Sequence, residues 1–415
     1  MNKERIILHC DVNNFYASVE CILNPRLKTL PVAVAGNPRM RHGVILAKNQ
    51  VAKEKGIKTG HVIWEAKQLC PNLICLPPQH AVYQEYSQQI KNIYKRFSDR
   101  VESFGPDECW IDITETAHLF GNGKEVADKL RKIVYEETGG LTISVGVSFN
   151  KYFAKLGSDL KKPDATTVID KSNFKELIWN MPANVLLMIG KKSWQKLQKL
   201  NIHTIKDLAM TDPMLLKEHF GINGLKMSAI ARGEDNTPVE LADANEQPKS
   251  IGNGMTTSKD LTTESDVTSL IYLLSEKIAY RMRQKNLEGK CIHFSVKSSS
   301  FEWRGYSESL SFYTNVANEI ASTALKMFKA HWDMKNLSVR AIRVSVSSLR
   351  QCDKYMEQIT LFDTKEHEKK KKLSQVMDKM REKYGFYAIR PANTLEKDFI
   401  NYFDADNEIT ASDDE

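Results

Sequence analysis

The sequence predicts a multidomain α+β protein, and three observations support that fold class. The chain has 415 residues, 41% hydrophobic and 27% charged, which is the composition of a globular protein large enough for several domains. Short apolar strands alternate with amphipathic helices up to about residue 170. A helical stretch over 172–236 and a second set of strands and helices over 249–350 follow. We therefore expect more than one hydrophobic core.

The first part of the chain alternates strands with helices. Strands are predicted from short apolar runs, and helices from apolar residues at spacings of three and four. In chain order the predicted elements are a strand at 5–12, a helix at 14–23, strands in LPVAVAG and GVILA, a short helix in NQVAKEKG, a helix at 83–98, a strand in CWIDIT, a helix around 123–137, a strand in LTISVGVS and a helix from near Asn150. This order predicts a sheet with its helices on one face.

The helical stretch over 172–236 carries two glycine-punctuated turns, MIGKKSWQKLQKLNI and HFGINGLKMSAIARG. Such turns are typical of helix-hairpin-helix units, which point backbone N–H groups at DNA phosphates, although plain helical hairpins have a similar pattern. Met188 stands where the first glycine of such a hairpin is usual. The polar stretch LADANEQPKS (241–250) predicts a linker.

Charge and cysteine content limit the partners and the compartment. The formal net charge is +7, and residues 249–350 hold 15 Lys and Arg against 9 Asp and Glu. A basic segment of this size is expected of a nucleic-acid-binding domain, and equally of a solvated surface with a modest lysine excess. The seven cysteines include no CxxC pair, and no apolar run approaches a membrane span. We expect free thiols, a reducing compartment and a cytoplasmic location.

Two adjacent carboxylates interrupt the otherwise apolar stretch FGPDECWIDIT (104–114). Alternate strand residues face opposite ways, so Asp107 shares a face with Cys109 and begins a core-facing row. A buried ionised carboxylate needs a partner or a cation. Asp11 ends the other clear apolar strand, so three acids including Glu108 converge if these strands are neighbours. Hard oxygen ligands suit Mg²⁺, whereas an isolated Asp–Glu pair is more often a strand cap or surface turn.

Three long motifs occur in a fixed order: DVNNFYASVE from Asp11, GPDECWID around the acid pair, and SVGVSFNKYFAKLGSDLKKPD over 144–164. With GVILAKNQVAKEKGIKTG, the paired hairpins and SIGNGMTT, they resemble the Y-family translesion DNA polymerases, closest to the DNA polymerase IV branch, over about residues 1–350. The resemblance implies a right-hand polymerase. Its parts would be a palm at 1–22 and 80–170, small fingers at 23–79, a helix-hairpin-helix thumb at 171–238, a linker at 239–248, an α+β little finger at 249–350 and a tail at 351–415.

The resemblance also implies residue roles. Asp11, Asp107 and Glu108 match the catalytic, metal-binding acids, with the Val12 carbonyl as an extra ligand and two Mg²⁺ ions per site. Tyr16 matches the steric gate, an aromatic ring lying where a ribose 2′-hydroxyl would be. The nucleotide-binding residues implied by the matched motifs are Asn14, Phe15, Tyr16, Ala47, Lys53 and Lys162.

Four positions depart from the family pattern. Asn13 replaces the second acid of the usual DxD, so the site depends on three carboxylates. Gln50 stands where Tyr is common, and Ala47 removes a usual hydroxyl. Lys53 replaces Arg, which exchanges a bidentate fork for a single charge.

The tail holds one further motif, QITLFD (358–363), which resembles the peptide by which bacterial polymerases bind the sliding clamp. Leu361 and Phe362 would anchor in an apolar pocket, and Gln358 would hydrogen-bond at its rim. Alternatively, these two apolar residues pack on the following helix. That helix would present one apolar face formed by Leu373, Val376, Met380 and Tyr384.

We expect a template-directed, low-fidelity DNA polymerase for translesion synthesis without proofreading, because no part of the chain resembles an exonuclease. Its expected partners are primer–template DNA, an incoming dNTP and a sliding clamp held through residues 358–362, with a monomeric chain and no membrane. Two alternatives remain open: a degenerate palm that only binds DNA and clamp, and a nucleotide cyclase. Mg²⁺-dependent extension of a primer discriminates against the first, and cyclic product from NTPs without DNA identifies the second.

Overall fold

The computed structural model describes residues 4–37, 43–242, 247–334, 337–352, 365–389 and 392. The chain divides into two compact units, one of residues 1–35 and 45–245 and the other of residues 36–44 and 246–415. No helix in these described stretches has both the length and the apolar character needed to cross a membrane. All seven cysteines lie in described stretches and none forms a disulfide bond, as the sequence predicts.

The first unit alternates strands and helices before a purely helical section. Its elements in chain order are β1 (Ile7–Val12), α1 (Phe15–Leu23), β2 (Val32–Ala35), β3 (Ile45–Lys48), α2 (Gln50–Glu54), α3 (Ile63–Leu69), β4 (Ile74–Leu76), α4 (His80–Tyr94), β5 (Val101–Ser103), β6 (Glu108–Asp112), α5 (Ala117–Phe120), α6 (Gly123–Glu137), β7 (Ile143–Ser148), α7 (Lys151–Leu160), β8 (Thr166–Ile169), α8 (Phe174–Ile178), α9 (Lys191–Lys199), α10 (Ile205–Met210), α11 (Pro213–Phe220) and α12 (Ile222–Ala231).

The central sheet has the strand order β5-β6-β1-β7-β8, so β1 lies in the middle and pairs antiparallel with both β6 and β7. Alternate residues of β1, namely Leu8, Cys10 and Val12, join a buried cluster with side chains of α4 and α6, including Ile90 and Leu130. These two helices therefore cover one face of the sheet.

The opposite face is covered by α7, so the prediction of helices on one face is wrong. A Cβ atom added to Gly146 of β7 would lie 1.9 Å from the Ala154 carbonyl oxygen, which shows how closely α7 approaches. Every residue of β1 and β7 is buried, as expected for strands covered on both sides. Glycine on the strand permits this approach because it has no side chain.

A small sheet of order β3-β2-β4 carries the elements over 32–76. Asn49 caps α2 by accepting a hydrogen bond from the Ala52 N–H at 2.9 Å, and its amide donates to the Leu30 carbonyl at 2.7 Å. The cap fastens α2 to the preceding chain and so fixes the positions of Gln50 and Lys53, the helix residues compared above with the family pattern.

The helical section over α8–α12 packs around an apolar cluster that includes Leu197, Leu216 and Ile230 and is shared with Phe153 of α7 and Ile169 of β8. A Cβ atom added to Gly224 would lie 2.1 Å from the Leu216 carbonyl oxygen, so only glycine lets α11 and α12 approach this closely.

The second unit contains β9 (Ser250–Leu261), α13 (Glu264–Gln284), β10 (Leu287–Ser298), β11 (Trp303–Thr314), α14 (Ala317–His331), β12 (Val339–Ser347), β13 (Arg350–Gln351) and α15 (Lys365–Tyr384). Its main sheet has the order β11-β10-β12-β9. Ile292, Phe294 and Val296 of β10 face a core shared with α13 and α14. Bidentate hydrogen bonds from Arg283 to Asp378 connect α13 with α15.

The proposed apolar face of α15, formed by Leu373, Val376, Met380 and Tyr384, is exposed. Residues 353–364 lie outside the described stretches, so the predicted clamp contacts of Gln358, Leu361 and Phe362, and their alternative packing on this helix, stay predictions.

Met188 adopts a backbone conformation that suits glycine. Its φ angle is +79°, in the turn before α9 where the hairpin pattern usually has glycine. A side chain at positive φ costs roughly 1–2 kcal/mol. The turn therefore keeps the geometry that suits glycine, and the methionine side chain makes its backbone strained.

We predict that Met188→Gly raises the free energy of unfolding by about 0.5–1 kcal/mol, because relief of strain exceeds the entropy cost of glycine in the unfolded chain. Urea denaturation of both proteins measures the change. Met214→Gly is the matched control, since Met214 lies exposed in the first turn of α11 and the same replacement there lowers stability, by up to about 1 kcal/mol. Equal loss of stability in both variants would contradict the assignment of strain to Met188.

Candidate active site

The three acids predicted from the sequence lie together at one end of the central sheet. The antiparallel register of β1 and β6 places Asp11 directly opposite Glu108. Asp107 immediately precedes β6, and its carbonyl oxygen accepts a hydrogen bond from the Val12 N–H at 3.1 Å. All four residues line a cavity of about 430 Å³. The condition for convergence, that the two apolar strands are neighbours, is met.

Crowded negative charge is the main electrostatic feature of this cavity. Burial raises the pKa of Asp107 to about 6, and the charges of Asp11 and Glu108 add to the rise. Burial also raises the pKa of Asp11, against the opposing effect of the Lys162 ammonium. Burial would raise the pKa of Glu108 as well, but His9 and the Lys155 ammonium outweigh it and hold that pKa below its ordinary value. Carboxylates in this environment need nearby positive charge to stay ionised.

Two lysines supply positive charge to the acids. Lys162 Nζ donates a hydrogen bond to Asp11 Oδ2 at 2.6 Å and lies 2.9 Å from Asp159 Oδ1. Lys155 Nζ lies 2.8 Å from Glu108 Oε2. Lys162 is among the residues predicted from the sequence, whereas Lys155 is not. The available signal was the four-residue spacing of Lys155 and Asp159 on a predicted helix, within the same motif as Lys162.

The donor set fits a hard divalent cation. Carboxylate oxygens are the ligands that Mg²⁺ prefers, and three carboxylates share this cavity. In the part of the chain that the structure describes, no three His, Cys, Asp or Glu side chains form a ready ligand cage. The ammonium groups of Lys155 and Lys162 lie against carboxylate oxygens that a metal ion would use. The residues therefore fit a Mg²⁺ site in which lysines balance the acids.

His9 supports Glu108 from the interior of the sheet. It is fully buried on β1, with Nδ1 2.8 Å from Ser158 Oγ and Nε2 3.2 Å from Glu108 Oε2. The Trp110 ring packs edge-on against it, with 5.2 Å between ring centroids. His9 is not among the residues predicted from the sequence, although its two-residue spacing from Asp11 puts both side chains on one face of the strand.

Tyr16, the predicted steric-gate residue, packs against a second aromatic ring. The Tyr16 ring stacks on Tyr83, with centroids 4.2 Å apart and an angle of 16° between planes. The Tyr83 hydroxyl donates to Glu20 Oε1 at 2.5 Å, and Gln79 Nε2 donates to the same carboxylate. This network fixes Tyr83 and, through the stack, limits the positions open to Tyr16.

The remaining predicted nucleotide contacts line the same cavity, namely Asn14, Phe15, Ala47, Lys53 and Lys162. Asn14 precedes α1 with φ 53° and ψ 38°, a left-handed conformation that Asn tolerates better than most residues. Lys48, which the sequence analysis missed, also lines the cavity and donates to Thr59 Oγ1 at 3.1 Å. Burial lowers the pKa of Lys48, and the charges of Lys53 and Lys162 lower it further. Neighbouring cations of this kind suit a polyanionic ligand.

Comparisons with known proteins identify the family. The model of the impB/mucB/samB family matches residues 10–159, and the model of that family's C-terminal domain matches residues 248–361. DNA polymerase IV of Acetivibrio thermocellus is 42% identical over 96% of this chain and 99% of its own length. DNA polymerase IV 1 of Bacillus subtilis is 33% identical over 95% of this chain and 94% of its own length.

This chain belongs to the Y-family DNA polymerases, in the DNA polymerase IV group. A solved Y-family DNA polymerase chimera, Dbh-Dpo4(243-245)-Dbh, has the same fold, with a TM-score of 0.73 over 83% of this chain and 99% of the chimera, at 23% identity. The predicted fold class, an α+β multidomain protein of the right-hand polymerase type, is confirmed.

The structure explains one departure from the Y-family pattern. Asn13 is buried, its Nδ2 donates to Thr142 Oγ1 at 3.1 Å, and its Oδ1 accepts from Ser144 Oγ at 2.9 Å. Both ends of the amide are therefore satisfied by residues of β7 and the turn before it. Gln50 also has a local partner, since its Nε2 donates to Glu54 Oε1 at 3.1 Å.

We predict that Asn13→Asp lowers the free energy of unfolding by about 1–2 kcal/mol, because a buried charge replaces an amide whose donor and acceptor are both in use. Thermal and urea unfolding at neutral pH measure the effect. Asn24→Asp is the matched control, since exposed Asn24 accepts a hydrogen bond from the Arg26 N–H, a role that a carboxylate keeps. An Asn13→Asp protein as stable as the control would show that the site readily accepts a fourth acid.

Proposed function

We propose that this Y-family chain extends DNA primers opposite damaged templates with Asp11, Asp107 and Glu108 as its catalytic acids. The observation that carries the proposal is the register that places Asp11 opposite Glu108, with Asp107 alongside, in a cavity that also holds three lysines. Carboxylates and lysines in one cavity suit metal ions together with a triphosphate.

In the proposed reaction, the primer 3′-hydroxyl oxygen attacks the α-phosphorus of a dNTP, the bond from that phosphorus to the bridging oxygen breaks, and pyrophosphate leaves. Two bound Mg²⁺ ions would lower the pKa of the hydroxyl and neutralise the charge that develops on the phosphates. Asp11, Asp107, Glu108 and the Val12 carbonyl would hold the ions. Without an exonuclease active site, the chain would not remove its own errors.

The nucleotide would lie between the acids and the lysines. Lys162 and Lys53 would neutralise the triphosphate, and the missed residue Lys48 would join them. The backbone at Asn14 and Phe15, where α1 begins, would bind phosphate oxygens, and Ala47 would leave room beside them. Tyr16, held by its stack on Tyr83, would exclude a ribose 2′-hydroxyl.

The second unit offers a surface for primer–template DNA. One face of its sheet packs on helices, while alternate residues of β10 on the other face are His293, Ser295 and Lys297. Arg343 of β12 pairs with Ser295 in the sheet register. Small, polar and cationic side chains on the sheet face opposite the helices suit contacts with the DNA backbone.

The proposal includes the assignment of parts and partners made from the resemblance. These are a palm at 1–22 and 80–170, fingers at 23–79, a thumb at 171–238, a linker at 239–248, a little finger at 249–350 and a clamp-binding peptide at 358–362. A small fingers region would hold the nascent base pair loosely, which would give low fidelity. The chain would work as a monomer in the cytoplasm.

Neither alternative function is favoured. Relatives of nearly full length are named DNA polymerase IV, which speaks against a nucleotide cyclase. The three acids lie in one cavity with lysines. A palm that only binds partners would not need this arrangement of charges, which speaks against the binding-only alternative.

We predict that Asp107→Asn and Glu108→Gln each reduce primer extension at least 10²-fold, because each removes a carboxylate at which the metal ions would bind. Extension of a labelled primer on template DNA with four dNTPs and Mg²⁺ measures the loss. DNA affinity, measured in the same preparations, shows that the variants still fold and bind.

Tyr16→Ala is the matched control, since it changes the same cavity and keeps all three acids. It should retain extension with dNTPs and gain incorporation of rNTPs. Normal extension by both acid variants would overturn the proposed roles of the pair.

A further inference from the structure

Lys155 lies among three carboxylates. Its Nζ is 2.8 Å from Glu108 Oε2, 3.7 Å from Asp11 Oδ2 and 3.4 Å from Asp159 Oδ2. Its side chain is only 14% exposed, so the ammonium is largely removed from water. A charge in this setting is stabilised mainly by these acids.

The three carboxylates differ in how they are held. Asp11 and Glu108 are strand residues opposite each other in the register of β1 and β6. Asp159 stands on α7, one turn after Lys155, and its side chain is 46% exposed. Lys155 therefore has two partners inside the active site and one at its edge, on its own helix.

A divalent cation bound between Asp11 and Glu108 would meet the Lys155 ammonium. Two positive centres against the same oxygens repel each other, so the ammonium would have to leave these oxygens. Asp159 is already within 3.4 Å, so a change of side-chain rotamer, with no movement of α7, would be enough.

We propose that Lys155 is a built-in counter-cation that occupies the acid pair when no metal is bound and moves onto Asp159 when a divalent cation enters. This inference rests on the proposed metal role of the acids. It makes Lys155 a positioning residue: it holds Glu108, together with His9, in the metal-free protein, and it competes with the metal for the acids. Lys155 and Asp159 together would then set the affinity of the site for Mg²⁺.

Removal of the competing charge tests the proposal. Lys155→Met keeps most of the side-chain length and lacks the ammonium. Melting temperature is recorded against Mg²⁺ concentration with protein alone, without DNA or nucleotide, and the rise in stability, which follows RT ln(1 + [Mg²⁺]/Kd), is fitted for the Kd. We expect Lys155→Met to melt at a lower temperature than the wild type without Mg²⁺. We also expect its fitted Kd for Mg²⁺ to be about tenfold lower than that of the wild type, since one competing charge has been removed.

Lys155→Arg is the control for packing, because it keeps the positive charge. Its Mg²⁺ dependence should follow the wild type within about twofold. A tenfold shift in Lys155→Arg as well would assign the effect to altered packing and overturn the counter-cation role.

Asp159→Asn tests the edge position separately. It should weaken Mg²⁺ binding several-fold in the wild-type background, because the displaced ammonium loses its second partner. Lys162 also contacts Asp159, and the same substitution in the Lys155→Met background measures that contribution. We expect the effect of Asp159→Asn to be smaller there, which gives a coupling between Lys155 and Asp159.

Weaker Mg²⁺ binding by Lys155→Met than by the wild type would overturn the proposal. So would a melting temperature that depends on Mg²⁺ equally in both proteins, or in neither. Circular dichroism shows whether each variant is folded. If Lys155→Met is not folded, Asp159→Asn in the wild-type background still decides, because an unchanged Kd for Mg²⁺ there would contradict the movement of Lys155 onto Asp159. Primer extension by the same wild-type preparation distinguishes failure of the counter-cation role from failure of the proposed polymerase function. Extension without a Lys155 effect defeats only this inference, whereas no extension by folded protein defeats the proposed function.

Discussion

The antiparallel register of β1 and β6 is the constraint on which the rest of the active site depends. It places Asp11 opposite Glu108, and the chain immediately before β6 adds Asp107. Both strands are packed deep in the first unit, so the acids stand at the edge of an apolar core and cannot all be solvated. The sheet thus concentrates negative charge where water is scarce, and the surrounding side chains offset it.

Several features that look unrelated in the sequence follow from this charge. His9 and Lys155 contact Glu108, and Lys162 contacts Asp11. Asn13, by contrast, is an amide bound on both sides to its neighbours, and this position adds no charge. The site is therefore a balanced set of charges rather than three separate acids, and a metal ion would enter it by changing that balance.

The strand ends and their acids were predictable because a short apolar run that stops at a carboxylate is a local pattern. The contacts of Lys155 were not, because they depend on α7 crossing to the second face of the sheet, which Gly146 permits. The sequence pattern predicted helices on one face, although unbroken burial of β1 is itself a sign of two covered faces. The hairpin pattern correctly predicted the turn at Met188, although methionine stands there in place of the usual glycine. Only the structure showed that Met188 has a positive φ angle and therefore a strained backbone.

The central claim is that Asp11, Asp107 and Glu108 form one divalent-cation site for nucleotidyl transfer. Crystals of the chain with primer–template DNA, a non-reactive dNTP analogue and Mn²⁺ test it most directly, because Mn²⁺ is located by anomalous scattering. The account predicts anomalous peaks at ligand distance, roughly 2–2.6 Å, from oxygens of these three residues. Bound nucleotide with no peak among the three acids, or Mn²⁺ held only by other residues, would contradict it.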